Sequence, residues 1–155
     1  MPDFKLIEVQ ERPYVYVDCS CAMDPPAISE TMGKAFQTVF GFMQENGLTA
    51  TDGALSVYYT YNPETVDFRV GFFVSAEDAK KASGAVKGDV TPAGRVVHFT
   101  HHGSYAKLSE SYGALMVWLE QEGLPLGSPT WEVYTNGPET VPEDQLVTEI
   151  YVGLA

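Results

Sequence analysis

Two stretches of this chain are near copies of two others. Met43-Gln44-Glu45-Asn46-Gly47-Leu48 is echoed by Leu119-Glu120-Gln121-Glu122-Gly123-Leu124. Val57-Tyr58-Tyr59-Thr60-Tyr61-Asn62-Pro63-Glu64-Thr65 is echoed by Glu132-Val133-Tyr134-Thr135-Asn136-Gly137-Pro138-Glu139-Thr140. Self-similarity of this kind predicts a duplicated structural unit. Alignment on the two Pro-Glu-Thr turns pairs Tyr59 with Tyr134, Thr60 with Thr135 and Val57 with Glu132. A carboxylate where its twin has a valine implies that only the second half carries a charged site.

The local pattern gives each half the order strand, helix, strand, strand. Phe4 to Val9 alternates apolar and polar residues, Tyr14 to Cys21 is rich in strand formers, and Arg12-Pro13 divides the two. Asp24-Pro25-Pro26 reads as a capped helix start. Ile28, Met32, Ala35, Phe36, Val39, Phe40 and Met43 follow at helical spacing, and Gly47 is placed to stop the helix. Leu55 to Tyr61 and Phe68 to Val74 read as strands around a proline turn, and Ser75 to Gly88 reads as a short helical turn and connector. In the second half Arg95 to Thr100 is a strand and Ser104 a candidate cap. Tyr105, Leu108, Tyr112, Leu115 and Leu119 form a helical stripe that Gly123 ends. Trp131 to Thr135 and Leu146 to Leu154 complete the order.

The expected fold is therefore α+β: duplicated strand-helix-strand-strand units, an antiparallel sheet with two long helices on one face, and a cleft between them. A single domain is expected over 1–155, with internal repeats at about 4–75 and 90–155.

The formal net charge of −12 argues against nucleic acid, which needs clustered Lys and Arg. It leaves room for neutral or cationic ligands. The opening Met1-Pro2-Asp3-Phe4-Lys5 lacks the pattern of a secretory signal, and no apolar run approaches a membrane span, so a cytoplasmic protein is expected. Cys19 and Cys21 lie two positions apart on one strand, awkwardly for a mutual disulfide, and read as free thiols.

Glu132 is the foremost site candidate. By strand alternation it shares a face with Tyr134, while Trp131 and Val133 share the other. A carboxylate in the middle of a covered sheet is costly to desolvate unless it is paired or faces a cavity. It would then meet a cationic or hydrogen-bonding ligand, or act as a general base with Tyr134 beside it. The candidate aromatic contacts are Tyr59, Tyr61, Tyr105, Trp131, Tyr134 and Tyr151, with Glu149 on the face of Tyr151. His98, His101 and His102 lack a partner at a metal-site spacing, so neither metal nor cofactor is expected, and His101 reads as a hydrogen-bonding residue at a strand-to-helix corner.

The order His101-His102-Gly103-Ser104-Tyr105, a helix with Tyr112 and Trp118-Leu119, Trp131-Glu132-Val133-Tyr134, a proline turn and Val147-Thr148-Glu149-Ile150-Tyr151-Val152 resembles the GyrI-like family of small-molecule-binding domains. These are related to effector-binding domains of multidrug-responsive regulators and to the gyrase-inhibitor protein. The resemblance implies a hydrophobic cleft in which Glu132 is the buried glutamate, His101 and Tyr105 form the His-x-Gly-x-Tyr corner, and Glu149 is the acid of the last strand. It implies a binder of hydrophobic, aromatic or cationic compounds, linked to xenobiotic or toxin resistance. The alternatives are a hydrolase that opens cyclopropane rings of DNA-alkylating natural products with Glu132 as base, and a protein-interaction module such as a gyrase inhibitor. No helix-turn-helix precedes the first expected strand, so direct DNA binding is not expected.

Overall fold

The computed structural model describes residues 3–22, 24–51, 53–61, 64–104, 107–136 and 140–154, without the side chains of Pro25, Thr60, Tyr61 and Ser128. Its elements run β1 (Lys5–Val9), β2 (Pro13–Ala22), α1 (Pro25–Asn46), β3 (Ala54–Tyr61), β4 (Thr65–Phe73), α2 (Ala76–Ala79), β5 (Lys87–Val90), β6 (Gly94–His102), α3 (Leu108–Glu122), β7 (Leu126–Tyr134) and β8 (Val147–Leu154).

Both long helices end where local chemistry dictates. The Asp24 carboxylate accepts from the Ala27 N–H at 3.3 Å, and proline occupies the first helical positions of α1. Gly47 and Gly123 close α1 and α3 in the left-handed conformation, with φ of 69° and 67°. Ser104 does not fill the expected cap position: α3 begins at Leu108, and the Ser104 hydroxyl donates to Glu143.

The strands form an eight-stranded sheet in the order β1-β6-β8-β7-β3-β4-β2-β5, and every neighbouring pair is antiparallel. The series β2-α1-β3-β4 recurs as β6-α3-β7-β8, and β3 and β7 pair at the centre. The outermost strands are exchanged. β1, first in sequence, pairs with β6 of the second half, and β5 pairs with β2 of the first.

One face of the sheet carries both helices. Val17, Val70, Ser56, Glu132, Ile150 and Phe99 are register partners in a single row across six strands. At one end of this face Ala35, Val39 and Met43 of α1 bury against Val15, Val17, Val66, Phe68 and Val70. At the other, Leu115 and Leu119 of α3 bury against Val97, Phe99, Ile150 and Val152. Each of the larger side chains among these, Val, Leu, Ile, Phe or Met, contributes about 1.5–3 kcal/mol by leaving water. Phe40 departs from the expected apolar stripe of α1 and is 52% exposed. Gly71 permits the close packing of β4 on β2, since a Cβ there would fall 1.8 Å from the Val15 carbonyl oxygen.

The opposite face is also apolar at its centre. Tyr14, Tyr16, Leu55, Val57, Phe73, Val96, Trp131 and Val133 are buried together there, with Ile7 and Val9 of β1 packed against them. Along this face Arg69, Val57, Trp131, Tyr151, His98 and Lys5 form another cross-strand row.

A β-bulge corrects the expected match between the two halves. Tyr58 pairs with Phe68 and Thr60 with Asp67, so Tyr59 is an extra residue in β3. A one-residue insertion turns every preceding side chain to the other face. Val57 therefore lies on the face opposite Glu132, and the equivalent of Glu132 is its own register partner, Ser56. The same shift makes Tyr58, not Tyr59, the counterpart of Tyr134.

Candidate functional site

Glu132 lies at the centre of the sheet on the helix-bearing face and is only 4% exposed. Two tyrosines from different elements donate to its two oxygens. Tyr112 of α3 reaches Oε2 at 2.5 Å, and Tyr134 of β7 reaches Oε1 at 2.8 Å. The Tyr134 hydroxyl has one hydrogen, which goes to the carboxylate. Its oxygen therefore accepts from Ser56 Oγ across the central strand pair, at 2.7 Å. Burial raises the Glu132 carboxyl above its ordinary range, while the two tyrosine hydrogen bonds and the charge of His101 oppose that rise. Burial and the neighbouring Glu132 together push the Tyr134 hydroxyl well upward, so it stays protonated and can only donate to Glu132.

Above this carboxylate, between α1 and α3, is a cavity of about 470 Å³ lined by residues that include Ile28, Tyr58, Val66, Leu108, Tyr112, Leu115, Met116, Leu126, Thr130 and Glu132. Glu132 is the only charged group among the described lining residues. Tyr58 forms a flat wall, its ring stacked on Phe68 at 5.5 Å. Met116 and Leu126 line the same cavity and are 49% and 46% exposed, so apolar side chains also meet solvent there. An apolar cavity of this size with one buried carboxylate can hold an aromatic molecule and complement a positive charge on it.

The structure brings Glu132 and Tyr134 together and separates most of the other residues singled out from sequence. Trp131, Tyr151 and Glu149 lie on the opposite face. There Trp131 stacks on Tyr151 at 5.3 Å, and Glu149 binds the His98 ring and, at 3.0 Å, the Thr100 hydroxyl. Tyr59 also lies there, beneath the Arg69 guanidinium at 4.7 Å. Tyr105 and the Tyr61 side chain lie outside the described residues.

His101 occupies the expected strand-to-helix corner, buried at 5% exposure, with Nδ1 2.7 Å from Ser111 Oγ and Nε2 2.9 Å from the Ser104 carbonyl oxygen. Among the described residues no group of three or more His, Cys, Asp or Glu is placed to hold a metal. Cys19 and Cys21 are free thiols.

Tyr112, Ser56 and Tyr58 complete the site and were not singled out as site residues from sequence. Tyr112 left one signal: a tyrosine inside an apolar helical stripe needs a buried partner for its hydroxyl. Ser56 and Tyr58 left none, because the bulge at Tyr59 hides which face they occupy.

The family model for the GyrI-like small molecule binding domain matches residues 2–155. The fold is similar to that of the EcmrR C-terminal domain, with a TM-score of 0.84 at 23% identity, over 100% of this chain and 98% of that one. In the EcmrR–DNA complex the chain spans 57% of the longer EcmrR chain. SAV2435 bound to tetraphenylphosphonium superposes with a TM-score of 0.66 at 13% identity, over 99% of this chain and 94% of that one. A hydrolase encoded by lin2189 from Listeria innocua gives 0.63 at 15% identity, over 98% and 91%. No curated protein matches the chain. With the family model spanning nearly every residue, the chain belongs to the GyrI-like small-molecule-binding domain family.

Proposed function

We propose that this chain binds hydrophobic, aromatic or cationic small molecules in the cleft between α1 and α3, with Glu132 as the countercharge to a cation. The observation that carries this reading is a nearly inaccessible carboxylate, held by two tyrosines, beneath an apolar cavity of about 470 Å³ whose other described lining residues are uncharged. A lipophilic cation loses little hydration on entering such a cavity and gains a charge partner screened from salt. The solved complex of SAV2435 with tetraphenylphosphonium supports the choice of that cation as a probe. A thermal-shift screen of lipophilic cations and neutral polyaromatics tests the reading. A ligand at about 100 times its Kd stabilises the fold by about 2.7 kcal/mol. Cations are expected to raise Tm most, and a panel in which no compound raises Tm would contradict the proposal.

A second reading is a hydrolase of the same architecture. It is favoured by the raised Glu132 carboxyl and the adjacent tyrosine hydroxyls, an arrangement suited to general acid–base chemistry. Glu132 would take a proton from water as the water oxygen bonds to a cyclopropane carbon; the ring carbon–carbon bond breaks, its electron pair passes into the group conjugated with the ring, and that group takes up the proton released by Glu132. A ring-opened water adduct that forms with the wild type and not with Glu132→Gln would support this reading. No adduct from a cyclopropane-bearing alkylator would remove it for that substrate.

A further inference from the structure

Consecutive residues of α3 are tied to the sheet by two buried polar side chains from different strands. Ser111 meets His101 of β6 at 2.7 Å, and Tyr112 meets Glu132 of β7 at 2.5 Å. On its other side His101 is fixed to the Ser104 carbonyl, which can only accept, so Nε2 carries a hydrogen. In the neutral ring Nδ1 then accepts from the Ser111 hydroxyl. In the charged ring Nδ1 donates and the Ser111 oxygen accepts. The contact survives either protonation state, so the tether does not depend on the charge of the imidazole.

We infer that His101 is a positioning residue for the cleft: by holding Ser111 it sets the neighbouring Tyr112 hydroxyl on Glu132, and thereby the cleft's preference for cationic over neutral ligands. The selectivity rests on the ligand-binding reading above; the positioning stands without it. Without the tether, Glu132 loses a donor that favours its charged form, and the cleft becomes a poorer partner for a cation. Among the described residues, the polar groups around Glu132 include Tyr134 and Thr130 from β7, Ser56 and Tyr58 from β3, Tyr112 from α3 and, through its charge, His101 from β6. His101 itself lines a second, polar cavity of about 600 Å³, whose other titratable groups are Asp3, Lys5, His98, His102, Lys107 and Glu110.

The test has one arm without ligand and one with. In ligand-free protein, ¹³C NMR follows the side-chain carboxyl of Glu132, its signal identified by its loss in Glu132→Gln. The titration midpoint is expected to rise in His101→Ala and in Ser111→Ala, the latter with the imidazole intact. It is expected to return towards the wild-type value in His101→Gln, whose amide can accept from Ser111 and donate to the Ser104 carbonyl without carrying charge. In the ligand arm, the affinity ratio of tetraphenylphosphonium to neutral triphenylphosphine oxide is expected to fall about tenfold in His101→Ala and Ser111→Ala, the scale of one charge-assisted hydrogen bond. His101→Gln is expected to keep the ratio. An unchanged Glu132 midpoint in folded Ser111→Ala would overturn the inference, as would identical behaviour of His101→Ala and His101→Gln. If the wild type binds neither probe, the ligand-binding reading fails while the NMR arm still decides the positioning role.

Discussion

Burying a carboxylate is among the costliest things a sheet can do, and Glu132 is buried with two hydroxyl donors in place of a cation. Its raised pKa means that the folded state holds the proton more tightly than the unfolded chain. The associated stability is complete below the unfolded carboxyl range and is lost as pH rises through the raised value. Glu132→Gln removes that loss, because the amide is uncharged throughout and can still accept one tyrosine hydrogen bond. Thermal unfolding across pH 5–8 is expected to show a flatter profile in the variant than in the wild type, with the variant the more stable at the alkaline end. A steeper alkaline loss in the variant would contradict this assignment. Tyr112→Phe acts in the opposite direction: it strands one carboxylate oxygen and is expected to cost about 1–3 kcal/mol in urea unfolding at neutral pH. At this scale Glu132 and Tyr134 were legible, because two-residue alternation put them on one face. Tyr58 and Ser56 were not, because nothing in Val57-Tyr58-Tyr59-Thr60 marks Tyr59 as the bulged residue.

At the scale of elements, the signals that survived are those with a local mechanism. Asp24, Gly47 and Gly123 bound their helices because side-chain capping and positive φ act within one turn. β5 leaves no pattern in the sequence because Lys87 to Val90 is an exposed edge strand with no buried face to impose alternation. β7 begins at Leu126, ahead of the expected start at Trp131: Gly127 and Pro129 mask its first half, and its register with β8 shifts between Leu126 and Thr130. Two substitutions test the packing of these elements. Asp24→Ala is expected to cost about 1 kcal/mol in chemical denaturation through the lost cap. Gly71→Ala is expected to cost about 3 kcal/mol, because the new methyl meets the Val15 backbone and not a movable side chain. A stability within 0.5 kcal/mol of wild type, the usual range for a neutral surface change, would mean that β2 and β4 separate more readily than their packing implies.

In the whole molecule, the repeat predicted two similar halves but not the exchange of their outer strands. β1 covers the edge of β6, and Phe4 just before it packs on Phe99 and Trp118 with ring centroids 4.9 and 5.6 Å apart. Phe4 and β1 thus help to hold the α3 half, on which Tyr112 and Glu132 depend. The exchange was not legible because strand pairing across halves leaves no local pattern. The repeat aligned Val57 with Glu132, and the bulge moves that match by one residue: Ser56 and Glu132 face each other as register partners, one a hydroxyl and the other a carboxylate. That single difference gives one side of a near-symmetric cleft its charge. Calorimetric titration with tetraphenylphosphonium and with neutral triphenylphosphine oxide, in wild type and Glu132→Gln, tests this most directly. The account predicts that the substitution weakens the cation at least tenfold, about 1.4 kcal/mol, and leaves the neutral compound nearly unchanged. Equal binding of the cation by both proteins would contradict it.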